Sequence, residues 1–115
     1  MGEFNPRLDA LPVGHVLNGY RIVEFVSRGG QAFVYRAQTS DGRWVAIKEC
    51  CYTELARRGQ DLRIEALPTN DTYDHTWAMR SLHREADYLA RAACGNLPGY
   101  VDCFDENGTT YLVME

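Results

Sequence analysis

Features that would announce a membrane or a nucleic-acid role are missing from these 115 residues. No apolar run approaches the roughly 20 residues needed to cross a bilayer, and no run of Lys and Arg creates a local basic field. Twelve basic residues against 16 acidic ones leave a net charge of −4, which gives a phosphate backbone nothing to bind. Neither nucleic acid nor membrane is an expected partner of this segment. The four cysteines, Cys50, Cys51, Cys94 and Cys103, contain no CxxC pair through which two thiolates share a zinc ion. They read as reduced thiols. His15, His75 and His83 have no metal-ligand spacing either, so no metal ligand is assigned. Met1 to Asp9 lacks the charged, apolar and small-residue order of a signal peptide, and a cytoplasmic location is expected.

What is present fits one compact domain. The length suits a single core, and 45% apolar with 24% charged residues is close to the globular average. Residues 1–10 are expected to be disordered or tag-derived, Gly2-Glu3-Phe4 having the look of a vector remnant, with the fold occupying 11–115.

Tyr20 to Val26 alternates as a strand does. Ser27 to Ala32 is small and glycine-bearing, and Phe33 to Ala37 is β-prone again, so the two runs form a hairpin with Ser27 to Ala32 at its tip. Thr39-Ser40-Asp41-Gly42 is a second turn, because Asp-Gly supplies the positive φ angles of a tight hairpin. Arg43 to Glu49 is the third strand. Within Cys50 to Tyr73 a short helical stretch is read around Thr53 to Arg58, ended by Gly59, and Leu62 to Leu67 is strand-like; the segment is treated as an insertion at about 50–75. Thr76 to Ala93 carries Leu82, Ala86, Leu89 and Ala93 on one helical stripe, with Gly95-Asn96 as its stop before Pro98. Tyr100 to Phe104 and Thr110 to Met114 are two more strands, turned through Asp105-Glu106-Asn107-Gly108. The expected fold is α+β: a five-stranded antiparallel sheet with one main helix packed on it, in the order β-β-β-α-β-β.

Chemistry concentrates at two charges. Lys48 ends the apolar run Val45-Ala46-Ile47, where an ammonium is costly to bury without an anion. Glu85 lies three residues after Leu82 and four before Leu89, so on a helix it projects with the apolar stripe. A contact between them at an effective dielectric near 20 is worth about 4 kcal/mol before desolvation. Removing one partner costs roughly 3–5 kcal/mol if the other stays buried. The alternative is a lysine reaching outward from a strand end and a glutamate at the edge of the stripe. Ser27-x-Gly29-x-x-Ala32 is also a degraded match to a dinucleotide-binding fingerprint, but that motif opens a helix and Phe33-Val34-Tyr35 is β-prone.

In order, these segments resemble the protein kinase family, and within it the N-terminal lobe of a bacterial (Hanks-type) serine/threonine protein kinase. Val26 to Tyr35 looks like the glycine-rich phosphate loop, Val45-Ala46-Ile47-Lys48 is similar to the VAIK strand, Leu82-His83-Arg84-Glu85-Ala86 resembles the regulatory helix, and Tyr111 to Glu115 looks like the strand entering the hinge. Leu11-Pro12-Val13-Gly14 through Tyr20-Arg21-Ile22 is similar to the family's lead-in. The resemblance implies an ATP site: Val26, Ser27, Arg28, Gly29, Gly30, Gln31, Ala32 and Phe33 cover the phosphates, Val34 and Ala46 roof the adenine, Lys48 held by Glu85 contacts the α- and β-phosphates, Met114 is the gatekeeper, and Glu115 offers a backbone carbonyl. It also implies Mg2+ whose ligands belong to a C-lobe absent from these residues, a protein substrate of the full-length parent, and contact with its own C-lobe. Self-association through the exposed hinge-side face is a further expected partner mode.

Three departures shape the expectation. The loop's three glycine positions hold Ser27, Gly29 and Ala32, and a Cβ at Ser27 or Ala32 narrows backbone approach to a phosphate. Gln31 stands where the family has an aromatic tip, and the Lys48 to Glu85 interval is long. His83-Arg84-Glu85 mimics the HRD triplet but lies in an amphipathic helix. No catalytic loop or DFG segment occurs in these residues, so the fragment is expected to be inactive. The alternative reading is a pseudokinase or a protein-interaction module with weak or no nucleotide binding.

Overall fold

The computed structural model describes residues 9–92 and 99–115. Expectations placed on residues 1–8, on Ala93 at the end of the helical stripe, on Cys94 and on the Gly95-Asn96 stop before Pro98 lie outside the described residues. The chain runs β1 (Val16–Leu17), β2 (Tyr20–Arg28), β3 (Ala32–Gln38), β4 (Trp44–Cys50), β5 (Ala56–Arg58), β6 (Ile64–Ala66), α1 (His75–Arg91), β7 (Tyr100–Glu106) and β8 (Thr109–Met114).

Antiparallel pairing gives one sheet in the order β1-β2-β3-β4-β8-β7, with β5 and β6 forming a separate hairpin. Among the described residues the main sheet therefore has six strands, one more than the five expected. The extra edge strand is the two-residue β1, turned into β2 through Asn18 and Gly19 at φ 47° and 86°. Two residues are too short to show alternation, so the Asn-Gly dipeptide was its only sequence signal. The same dipeptide at Asn107 and Gly108, φ 57° and 79°, closes β7 onto β8 as expected.

A second correction concerns the insertion. Thr53 to Arg58 is not helical: residues 53–55 form a turn and Ala56–Arg58 is a strand paired with Ile64–Ala66. Six residues cannot offset the cost of nucleating an isolated helix, whereas a hairpin laid on the sheet buries Ala56 and Ile64.

Helix α1 starts one residue before the expected Thr76. The Asp74 side chain accepts from the Trp77 N–H at 2.9 Å and caps it. Leu82 and Ala86 bury against Leu112 and Cys50, with Leu89 packed at the margin. The opposite sheet face holds the larger core, in which Ile22, Phe33, Tyr35, Ile47, Tyr111 and Val113 meet Leu17, Ala56 and Ile64. Both faces of β4 and β8 are thus covered, which is why their sequences read as near-continuous apolar runs. Ala10 belongs to this core and the Asp9 carbonyl accepts from Arg58 Nε at 2.9 Å, so packing begins before Leu11.

The sheet curls until its margins meet. Tyr20 of β2 stacks on Phe104 of β7 with ring centroids 6.1 Å apart, and its hydroxyl donates to Asp102 at 3.0 Å. Burial, with Asp102 adding to it, pushes the Tyr20 phenol up to about 12.

Candidate functional site

Strand register assembles the site. Across the sheet Ser27 lies opposite Val34, Val34 opposite Lys48, and Lys48 opposite Leu112; one row along, Ala46 faces Met114. Because side chains alternate at period two, Lys48 and Ala46 share the α1 side of β4, away from the core that takes Val45 and Ile47. Val34, Ala46 and Met114 are half-buried there.

Helix α1 brings Glu85 to Lys48. The Lys48 Nζ donates to Glu85 Oε1 at 3.1 Å and to Oε2 at 3.2 Å. The two side chains keep 27% and 44% of their surface exposed. The pairing inferred from spacing forms, but at the edge of the stripe: Glu85 is open to solvent, and the geometry combines both alternatives weighed from sequence. Water screens such a pair, so its net worth is about 0–1 kcal/mol, well below the figure for a buried partner.

The end of the hairpin loop borders this pair. The Gly29 N–H donates to the Ala32 carbonyl at 3.0 Å, closing the turn through Gly30 and Gln31. Gln31 and Ala32 enclose a recess together with Lys48, Tyr52, Leu82 and Glu85. At Gly29 and Gly30 an added Cβ would meet nothing within 4 Å and φ is not positive, so the chain's own packing does not demand glycine at either. Val26, Ser27 and Gln31 are exposed.

Two residues expected around the phosphates turn elsewhere. Phe33 is buried in the opposite core, and the Arg28 guanidinium stacks on its ring at 4.2 Å while donating to the Cys51 carbonyl at 2.6 Å. Alternation along β3 puts Phe33 on the Tyr35 side, so only its backbone borders the loop. At the other end Met114 is half-buried beside Ala46, and the exposed Glu115 donates its N–H to the Gly99 carbonyl at 2.9 Å. His83 and Arg84 lie on exposed α1 surface, with His83 Nε2 at 2.8 Å from Asp105, so the HRD-like triplet is helical as read. Among the described residues no group of three or more His, Cys, Asp or Glu is arranged to hold a metal ion, and no helix is long and apolar enough to cross a membrane.

Sequence reasoning missed the polar centre behind the site. Glu49, next to Lys48 but on the other face, is fully buried; it accepts from the hydroxyls of Tyr35 at 2.7 Å and Tyr111 at 2.6 Å and pairs with both terminal nitrogens of Arg58. Burial, with the Glu49 carboxylate adding to it, raises both phenols far above their ordinary value. Burial works against the Arg58 charge, but the Glu49 carboxylate outweighs it and the net shift is upward. One signal was available: Val45, Ile47 and Glu49 share a period of two, which places Glu49 in the core.

Among the described residues, a curled antiparallel sheet, a helix across it, and a strand lysine met by a helix glutamate beside a hairpin loop match the small lobe of a protein kinase. Known structures agree. PpkA-294 in its apo form superposes with a TM-score of 0.86 at 33% identity over 93% of this chain. The PknI kinase domain of Mycobacterium tuberculosis gives 0.61 at 20% identity over 92%, and its C20A_R136N double mutant gives 0.64 at 20% over 92%, likenesses of fold alone. The chain has the fold of the N-terminal lobe of a bacterial Hanks-type protein kinase. It spans 38% of the PpkA-294 chain and 36% of either PknI chain. No protein-family model matches it, and no curated protein sequence does.

Proposed function

We propose that this chain is the ATP-binding small lobe of a serine/threonine protein kinase whose full-length parent transfers the γ-phosphate of ATP to Ser or Thr of a protein substrate. The observation that carries it is the Lys48–Glu85 pair at 3.1 Å in a recess that Gln31 and Ala32 of the hairpin loop also line. Partly exposed, the ammonium keeps donor capacity for a phosphate while Glu85 fixes its position. The half-buried apolar row of Val34, Ala46 and Met114 on the same face suits an adenine ring, and glycines that the fold itself does not need suit a closely approaching phosphate. ATP supplies the transferable phosphoryl group; Lys48 binds and orients it.

Mg2+ ligands, the catalytic base and the substrate surface belong to a C-lobe, the partner of the hinge-side face around Met114 and Glu115. Without that lobe the fragment positions neither metal nor nucleophile and is inactive. The same open face gives a route to self-association, and the reduced thiols and acidic charge suit the cytoplasm. A second reading, a pseudokinase or interaction module, is favoured by Ser27 and Ala32 at loop glycine positions. Titration of the chain with ATP, wild type against Lys48→Met, decides between them. Micromolar to millimolar binding that Lys48→Met weakens at least tenfold supports the nucleotide lobe; no binding by the wild type supports the module.

A further inference from the structure

The β3–β4 ladder ends at Ala32 opposite Cys50, yet the hydrogen bonding continues past it into the loop. The Cys51 N–H donates to the Gln31 carbonyl at 2.9 Å, and the Thr53 N–H donates to the Gly30 carbonyl at 2.9 Å. The Thr53 hydroxyl reaches the same Gly30 carbonyl at 3.2 Å. From the other limb of the hairpin, Arg28 donates to the Cys51 carbonyl. Both tip carbonyls are therefore held by the first residues of the insertion. The tip cannot lift without breaking these bonds.

That root segment is itself fixed on both sides of the sheet. Cys51 is buried in the core behind it, and the Tyr52 ring meets Trp77 of α1 edge-on with centroids 5.8 Å apart. The Leu55 and Ala56 N–H groups donate to the Tyr52 carbonyl at 2.9 and 3.0 Å, leading directly into β5 and Arg58. A glycine tip tied to nothing would sample many conformations and lose that freedom when it closes on a ligand. Here the restriction is built in during folding.

We propose that residues 50–53 position the phosphate-covering loop, with Thr53 as the positioning residue that fixes the tip through its N–H and hydroxyl. The proposal rests on the nucleotide-site reading above. It assigns the insertion root a task in ligand binding: pre-organising a loop that keeps only one of its three expected glycines.

The test compares the 115-residue chain with Thr53→Pro, which lacks both donors, and Thr53→Val, which keeps the N–H. ATP and adenosine affinities are measured by titration, and amide hydrogen exchange is followed at Gly29 and Cys51. In the wild type the Cys51 and Thr53 amides are protected. Thr53→Pro is expected to weaken ATP about fivefold to tenfold while leaving adenosine within about twofold, because the loop covers phosphates rather than the base. Gly29 and Cys51 exchange faster in that variant, and Thr53→Val, which loses only the hydroxyl contact, falls between it and the wild type. Equal weakening of ATP and adenosine, unchanged exchange in Thr53→Pro, or unprotected Cys51 and Thr53 amides in the wild type overturns the proposal. The wild-type protection arm stands even if Thr53→Pro does not fold. A wild type that binds neither ligand refutes the nucleotide reading instead, and exchange still decides whether Thr53 fixes the tip.

Discussion

Arg58, at the end of β5, is paired with Glu49 of β4 while the two side chains keep 6% and 0% of their surface exposed. The pair joins the insertion to the strand that carries Lys48. Its carboxylate has partners from three elements, so the hairpin is bound into the core rather than appended to it.

Arg58→Met is expected to lower unfolding free energy by about 3–5 kcal/mol, since it leaves the Glu49 charge buried without its counterion. Urea denaturation measures this. Replacing Glu49 with Leu in the same chain recovers a large part of the loss, and a double-mutant cycle showing strict additivity would contradict the pairing.

Lys48→Met and Glu85→Gln are expected to change stability by less than about 1 kcal/mol, because the pair they break is half-exposed and screened. The contrast with Arg58→Met separates a solvent-screened ion pair from a buried one. Thermal melts of the three variants side by side make the comparison.

Gly108→Ala is expected to destabilise by about 1–3 kcal/mol. At φ 79° an L side chain is strained, and its Cβ would collide with the backbone carbonyl of Ile64 in β6. The Ile64 N–H donates to the neighbouring Asn107 carbonyl at 3.0 Å, so the insertion cannot simply move away. Denaturant midpoints of the variant check it.

Alkaline pH is expected to weaken the fold. Burial pushes the Cys50 and Cys103 thiols from 9.0 up to about 11. Between those values the unfolded chain releases thiol protons that the folded chain retains, so unfolding is favoured as pH rises. This contribution to stability is complete below pH 9 and declines through about pH 11. Melting temperature against pH, with and without Cys50→Ser, tests the sign; a flat profile between 9 and 11 would falsify it.

The site was legible where short-range pattern and chemistry coincide. Val45 to Lys48 followed by Glu85 at a helical stripe predicted a contact that forms, and Asp-Gly and Asn-Gly placed the hairpins at residues 41–42 and 107–108. The insertion was not legible. Ala56 to Arg58 has no strand pattern of its own; it is a strand because Ile64 and Ala66 lie beside it and the sheet beneath removes Ala56 from water. Likewise, the period of two shared by Val45, Ile47 and Glu49 was a signal left unread, and nothing local says that Arg58 neutralises Glu49.

By itself the sequence determined the hairpins turned at residues 27–32, 39–42 and 105–108 and the helical stripe that carries Glu85, because φ preference and side-chain periodicity act over a few residues. Only the tertiary structure decided how far that ion pair is open to water, which partner neutralises Glu49, and that Thr53 holds the loop tip. Those outcomes depend on burial and on hydrogen bonds between segments 9 to 37 residues apart, where the geometry of closure, and not local propensity, sets which groups meet.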